Sequence, residues 1–165
     1  PYAIVKNVGE AFFRTYTQEY GLPHTIFRFF NTYGPLQSTD FVVSRFIDQA
    51  VRGEDLTIYG DGSQSRTFCY IDDNLEFTER TLDEGLWLNQ TVNVGNDREL
   101  SVLELAHKVI EATGSSSRIV HLPPLAEGDM SRRCPDVSRM RETLGRPLLS
   151  IEEGIRMTAQ FAARG

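Results

Sequence analysis

Short apolar runs alternate along this chain with longer stretches of helical period, and that alternation most narrows its choice of fold. The runs at residues 24–30, 56–59, 66–71, 91–94 and 118–122 are rich in β-branched and aromatic residues and too short for helices, so they read as strands. Between them, Val5, Val8, Ala11, Phe12, Tyr16 and Tyr20 fall near a period of 3.6 and predict a helix over residues 2–20, stopped by Gly21-Leu22-Pro23. Asp40 or Ser44 is placed to cap a helix reaching Arg52, and Asp72 or Asp73 one reaching Leu82. Ser101-Val102-Leu103-Glu104 fits a capping box, with Ser101 at the N-cap of a helix through Ala112. Further helices are expected from Asp136 and Ser150, and loops over residues 31–39 and 123–135. Gly60-Asp61-Gly62-Ser63 is a tight turn with Asp61 as its polar member. Strands alternating with helices indicate an α/β fold.

A chain of 165 residues fits one domain with a sizeable core. Its 40% hydrophobic and 24% charged residues are ordinary for a soluble protein. No apolar run is long enough to span a bilayer and no signal-peptide pattern is present, so a cytoplasmic protein is expected. A net charge of −6 argues against a general nucleic-acid binder, while a few Arg residues still allow a small anionic ligand. Cys69 and Cys134 have no metal-ligand spacing and are expected as thiols. Glu152-Glu153 and Arg139-Met140-Arg141 read as solvated helix faces. His24, His107 and His121 are expected to be structural or exposed.

The chemistry-bearing residues begin with Tyr2 and Lys6. Four residues apart on a helix, they share one face. An ammonium beside a phenol favours the phenolate, which makes the pair a candidate general base for a sugar hydroxyl. Taken alone, such a pair is a common surface contact. Three further motifs accompany it. Arg28-Phe29-Phe30-Asn31-Thr32-Tyr33-Gly34-Pro35 ends a strand in a polar loop, where α/β folds bind ligands. The run from Tyr59 through Gly60-Asp61-Gly62-Ser63-Gln64-Ser65-Arg66 sets an Arg at the head of an apolar strand. Arg132-Arg133-Cys134-Pro135-Asp136 puts two guanidiniums in a loop before a helix.

In this order and spacing, the four motifs resemble the extended short-chain dehydrogenase/reductase family, specifically its NAD-dependent nucleotide-sugar epimerases, dehydratases and decarboxylases. The resemblance covers nearly the whole chain. It implies the C-terminal part of a Rossmann-like fold, with the N-terminal nucleotide-binding half absent. Residues 1–35 would end the catalytic core, and residues 36–165 would form mainly a small α/β nucleotide-sugar-binding lobe. By the same resemblance, Tyr2 is the catalytic base, Lys6 holds the nicotinamide ribose, and the Phe30 region lies against the nicotinamide. Asn31 binds substrate near its diphosphate, Tyr59 helps form the nucleobase pocket, and Arg66 and Arg133 clamp the diphosphate.

The implied chemistry is a transient 4-keto sugar formed with NAD. Residues 66–70 look most like those of UDP-glucuronate decarboxylases, with dTDP-glucose 4,6-dehydratases and UDP-sugar 4-epimerases as alternatives. A non-catalytic nucleotide-sugar or NAD-binding scaffold is the reading from another class. The 165 residues alone are expected to be inactive, and the intact protein to form a homodimer with Phe12, Phe13 and Tyr16 as candidate contacts. Structural roles stay open for each residue: a turn cap for Asn31, core packing for Phe30 and Tyr59, and pairing with Asp72 or Asp73 for Arg66. The chain departs from the family's usual residues at Leu36, Phe41, Arg45 and Gly128-Asp129-Met130, near the expected substrate pocket.

Overall fold

The computed structural model describes residues 2–124 and 132–163. Helix α1 (Tyr2–Tyr20) leads into β1 (Thr25–Phe29), β2 (Thr32–Tyr33), α2 (Val42–Val51) and β3 (Leu56–Tyr59). Then come β4 (Ser65–Thr67), β5 (Cys69–Tyr70), α3 (Ile71–Asp83), β6 (Gln90–Val94) and β7 (Glu99–Ser101). The chain continues through α4 (Val102–Thr113), β8 (Ile119–Leu122), β9 (Arg132–Arg133), α5 (Ser138–Leu144) and α6 (Ile151–Ala162).

Strands far apart in sequence pair in parallel, as helical crossovers require. Strand β1 runs beside β6 with Phe27 opposite Val92, β2 beside β5, and β3 beside β8 with Tyr59 opposite Leu122. Strand β4 lies between antiparallel β7 and parallel β9.

Two hydrophobic cores follow from this layout. Phe46, Ile47, Leu56, Ile58, Leu105, Val109 and Ile155 fill the space between α2, α4, α6 and β3. Phe77, Val92, Val94, Met140 and Leu144 pack α3 and α5 on β6. Gly154 lets α6 approach the first core closely, because a Cβ there would collide with the Tyr33 ring and its hydroxyl. Asp73, 1% exposed, joins α3 to the chain before α6 by accepting from Arg146 Nη1 (2.7 Å) and the Leu149 N–H (2.8 Å).

Helix α1 is different. None of its described residues is buried, and Val5, Val8, Phe12, Phe13, Tyr16 and Tyr20 all stay exposed. It is tied to β1 by polar contacts, Arg28 to Glu10 and His24 to Thr17. No described helix is long and apolar enough to cross a membrane.

Several local expectations are corrected. Neither Asp40 nor Ser44 caps α2: Asp40 accepts from the Ser38 hydroxyl, Ser44 lies inside the helix, and Phe41 occupies the N-cap without a side-chain bond. Asp72 and Asp73 fall in the first turn of α3, where carboxylates suit the helix dipole, and Tyr70 is the N-cap. The run 66–71 is two strands, because Thr67 and Cys69 join different sheets on either side of buried Phe68. The loops 31–39 and 123–135 contain β2 and β9.

The charged stretches of α5 and α6 are not merely solvated. Met140 is fully buried, Arg141 pairs with Asp97, Arg139 stacks on Trp87, and Glu152 pairs with Lys108. The Ser101 capping box stands, and Ser150 caps α6 by accepting from the Glu153 N–H. Cys69 is buried and Cys134 exposed, both as thiols; burial pushes the Cys69 thiol up to about 12.

Candidate active site

A cleft of about 480 Å³ gathers residues from five parts of the chain. Tyr2 enters from the start of α1, Phe29 and Asn31 from the end of β1, and Phe41 to Val43 from the start of α2. Phe68 supplies the floor and Arg133 comes from β9. The parallel strand β1 ends here, as expected of a ligand crevice in an α/β fold.

Asn31 is held by its neighbours on both sides of Phe68. Its side-chain amide donates to the Thr67 carbonyl (2.9 Å), and its own carbonyl accepts from the Cys69 N–H (3.2 Å). Its φ of +38° is a conformation that Asn tolerates better than most residues. Behind it, Asn74 donates to the Thr32 hydroxyl and accepts from the Cys69 thiol. The Gln37 amide closes the loop by donating to the Thr32 carbonyl and accepting from the Ser44 hydroxyl. The cleft wall is therefore fixed before any ligand arrives.

Tyr2 and Lys6 share a face of α1, with the Lys6 ammonium 5.3 Å from the centre of the Tyr2 ring. Both residues are exposed, so the pair is open to a ligand. The contact is cation–π; among the described residues neither side chain is hydrogen-bonded to the other.

Arg66 and Arg133 are Cα partners on β4 and β9. Residues in register on adjacent strands share a face, so two cationic side chains start side by side. Arg66 Nη1 donates to the Ser65 carbonyl, and Asp73 is committed to Arg146.

The remaining sequence candidates lie elsewhere. Phe30 is not in the cleft lining, where Phe29 stands instead; its backbone N–H bonds to Val94 and its Cβ packs by Gly95. Tyr59 ends β3, 38% exposed, beneath the guanidinium of Arg45. Asp61 accepts from the Ser63 N–H and hydroxyl, as a turn residue does. His121 bonds to the Gly60 carbonyl, and His107 is exposed. Gly128-Asp129-Met130 lies outside the described residues. Phe29 and Thr32 lie in the motif of residues 28–35 but carry no assigned role there, and Gln37 joined the site without any sequence signal, since its role depends on the loop's path.

A smaller cavity of about 210 Å³ behind Phe68 is lined by Arg98, Lys108, Ser150 and Glu152. Its Lys108–Glu152 pair satisfies its own charges, and none of the four motif groups faces it except through Phe68.

The sequence matches the profile of the NAD dependent epimerase/dehydratase family over residues 1–95. The chain belongs to this family. It is 38% identical to the UDP-N-acetyl-alpha-D-glucosaminuronate decarboxylase of Bacillus cytotoxicus, over 97% of this chain and 52% of that protein. It is 36% identical to the UDP-glucuronic acid decarboxylase 1 of Danio rerio, over 96% of this chain and 38% of the relative.

Among solved structures, the UDP-glucose 4-epimerase of Thermotoga maritima with UDP-glucose superposes with a TM-score of 0.90 at 32% identity, covering 99% of this chain and 53% of that one. The UDP-glucuronic acid 4-epimerase of Bacillus cereus, solved with UDP-glucuronic acid and NAD, gives 0.86 at 28% identity, over 99% and 52%. The fold is thus that of the epimerases and their short-chain dehydrogenase relatives. The chain spans about half the length of the curated relatives it matches.

Proposed function

We propose that this chain carries the catalytic Tyr–Lys helix and the nucleotide-sugar-binding face of an NAD-dependent enzyme that acts through a transient 4-keto sugar, most closely as a UDP-glucuronate decarboxylase. The observation that carries the reading is one cleft with Tyr2 among its walls and Arg133 as its cation, in register with Arg66. A reacting sugar would lie at Tyr2 and its diphosphate at the arginines, whose forked donors match phosphate oxygens. Asn31, already fixed by Thr67 and Cys69, would lie near the diphosphate, and Tyr59 would border the nucleobase.

The residues present fit NAD. Lys6 offers three donors to ribose hydroxyls beside the Tyr2 phenol, and the exposed ring of Phe29, next to Phe30, offers an apolar face to a nicotinamide. When bound, NAD supplies the acceptor for hydride leaving the sugar. Tyr2 takes the proton of the sugar 4-hydroxyl, with the Lys6 ammonium beside its ring. Arg66 and Arg133 bind a part of the substrate that does not react, and so orient the ring that does.

This reading includes a dinucleotide-binding half of the kind the longer relatives have room for, and no turnover by the 165 residues alone. It also includes a cytoplasmic enzyme that pairs with a second copy through the Phe12, Phe13 and Tyr16 face of α1. A UDP-sugar 4-epimerase is the second reading, favoured by the likeness to the Thermotoga maritima epimerase. Incubating the enzyme that contains this chain with NAD and UDP-glucuronate, dTDP-glucose or UDP-glucose separates the outcomes by product mass. Loss of CO2 from UDP-glucuronate is expected. Loss of water from dTDP-glucose would replace that reading with a dehydratase, and an inverted stereocentre at unchanged mass with an epimerase.

A further inference from the structure

Among the described residues Arg45 is a cation with aromatic rings for neighbours and no paired carboxylate. It lies in the first turn of α2, its N–H donating to the Phe41 carbonyl (2.9 Å). Its guanidinium carbon is 5.8 Å from the ring centre of Tyr59 and 5.7 Å from that of Phe46. Its Nε is buried without a hydrogen-bond partner, and no carboxylate among the described residues pairs with it. An N–H left this way costs free energy, and native structures rarely tolerate it without a reason.

That Nε is closed to solvent, so a ligand meets the terminal nitrogens of the guanidinium, and the location brings one to them. Tyr59 ends β3 beside Leu122, the end of its parallel partner β8, so Arg45 stands over the C-terminal ends of two parallel strands. Ligands of α/β folds bind at such ends. One way along the chain, α2 begins with the cleft residues Phe41, Val42 and Val43; the other way, the turn after Tyr59 leads to Arg66.

We propose that Arg45, stacked on Tyr59, selects the nucleobase of the nucleotide sugar by donating to a base carbonyl. The proposal rests on the nucleotide-diphosphate reading of the cleft. A guanidinium only donates hydrogen bonds. Uracil and thymine carry a carbonyl where cytosine carries an amino group, itself a donor, so Arg45 favours the first two and opposes the third. The rings of Tyr59 and Phe46 hold the guanidinium plane in place, so little freedom is lost on binding. Tyr59 adds a partly exposed flat face for the base.

Calorimetric titration of the protein with UDP and with CDP tests this. Wild type is expected to prefer UDP by about tenfold or more. Arg45→Asn presents both a donor and an acceptor, and the preference is expected to fall to near one. Arg66→Ala weakens both nucleotides alike and leaves the ratio standing. Should Arg45→Asn lose its native circular dichroism, Arg45→Lys keeps the charge and stem without the fork, and is expected to reduce the ratio severalfold. An unchanged ratio in a folded Arg45 variant overturns the assignment and leaves the nucleotide reading intact. Failure of wild type to bind either nucleotide contradicts the nucleotide reading and the assignment with it.

Discussion

Arg66 and Arg133 face one another in register across the parallel strands β4 and β9. Residues in register on adjacent strands share a face, and one of these two cations lines the cleft that Tyr2 also lines. Replacing either by Ala is expected to weaken UDP binding by about tenfold, in line with a lost charge-assisted hydrogen bond. The affinity should also fall as salt is raised, because the contact is ionic. Titrations at two salt concentrations check both. Binding indifferent to either substitution would place the diphosphate elsewhere.

Asp73 holds the chain before α6 onto α3 through Arg146 and the Leu149 N–H. Its carboxylate side chain is 2% exposed, whereas Arg146 is 38% exposed. Asp73→Ala leaves a buried N–H and a guanidinium without their acceptor, at a cost of about 3 kcal/mol. Urea unfolding should show a lower midpoint at unchanged slope. Arg146→Ala is expected to cost at least as much on the same readout, since it leaves the buried Asp73 carboxylate without its counter-ion, while Glu76 keeps Arg80.

Acid should destabilise the fold progressively. The Arg28 hydrogen bond holds Glu10 below the usual carboxylate range, Arg146 does the same for Glu76, and Lys108 for Glu152. A carboxyl lowered on folding binds fewer protons in the native state, so stability rises with pH through that interval. The contribution is complete above the ordinary glutamate value of about 4.3 and is lost as pH falls through the lowered native values. Melting temperature should therefore drop between about pH 5 and pH 3. Glu76→Gln should flatten part of that slope, and the effect should be modest because these pairs are partly solvated.

The fold was most legible where local signals decide the element. The 3.6-residue period of α1, the Ser101 capping box and the alternation of strands and helices all needed only neighbouring residues. The failures came from tertiary contacts. Nothing near residue 68 announces that its two flanks join different sheets, or that Asn31 will be stitched to both of them. Asp73 has the chemistry of a cap, yet Arg146, far along the chain, takes its carboxylate into the interior. Arg132-Arg133 has no strand signature; its pairing partner creates the strand.

The site divides the same way. Tyr2, Asn31 and Arg133 line one cleft and Arg66 stands in register with Arg133, while Phe30 and Tyr59 do not line it. Phe29 and Thr32 belong to the motif of residues 28–35 without being singled out in it, and Gln37 entered the cleft through the geometry of the loop alone. Arg45 showed only as a departure from the family's usual residue, and its setting over Tyr59 needed the packing of α2 on β3.

The measurement closest to the central claim is turnover of UDP-glucuronate, with NAD, by the enzyme containing this chain and by its Tyr2→Phe variant. Removing the phenolic hydroxyl is expected to lower kcat by about 10²–10⁴-fold, the usual worth of a positioned general base. UDP affinity should stay within about twofold, because UDP lacks the sugar whose hydroxyl Tyr2 is proposed to deprotonate. A Tyr2→Phe enzyme that keeps its kcat would contradict the assignment of Tyr2 as the base and, with it, the account of the cleft.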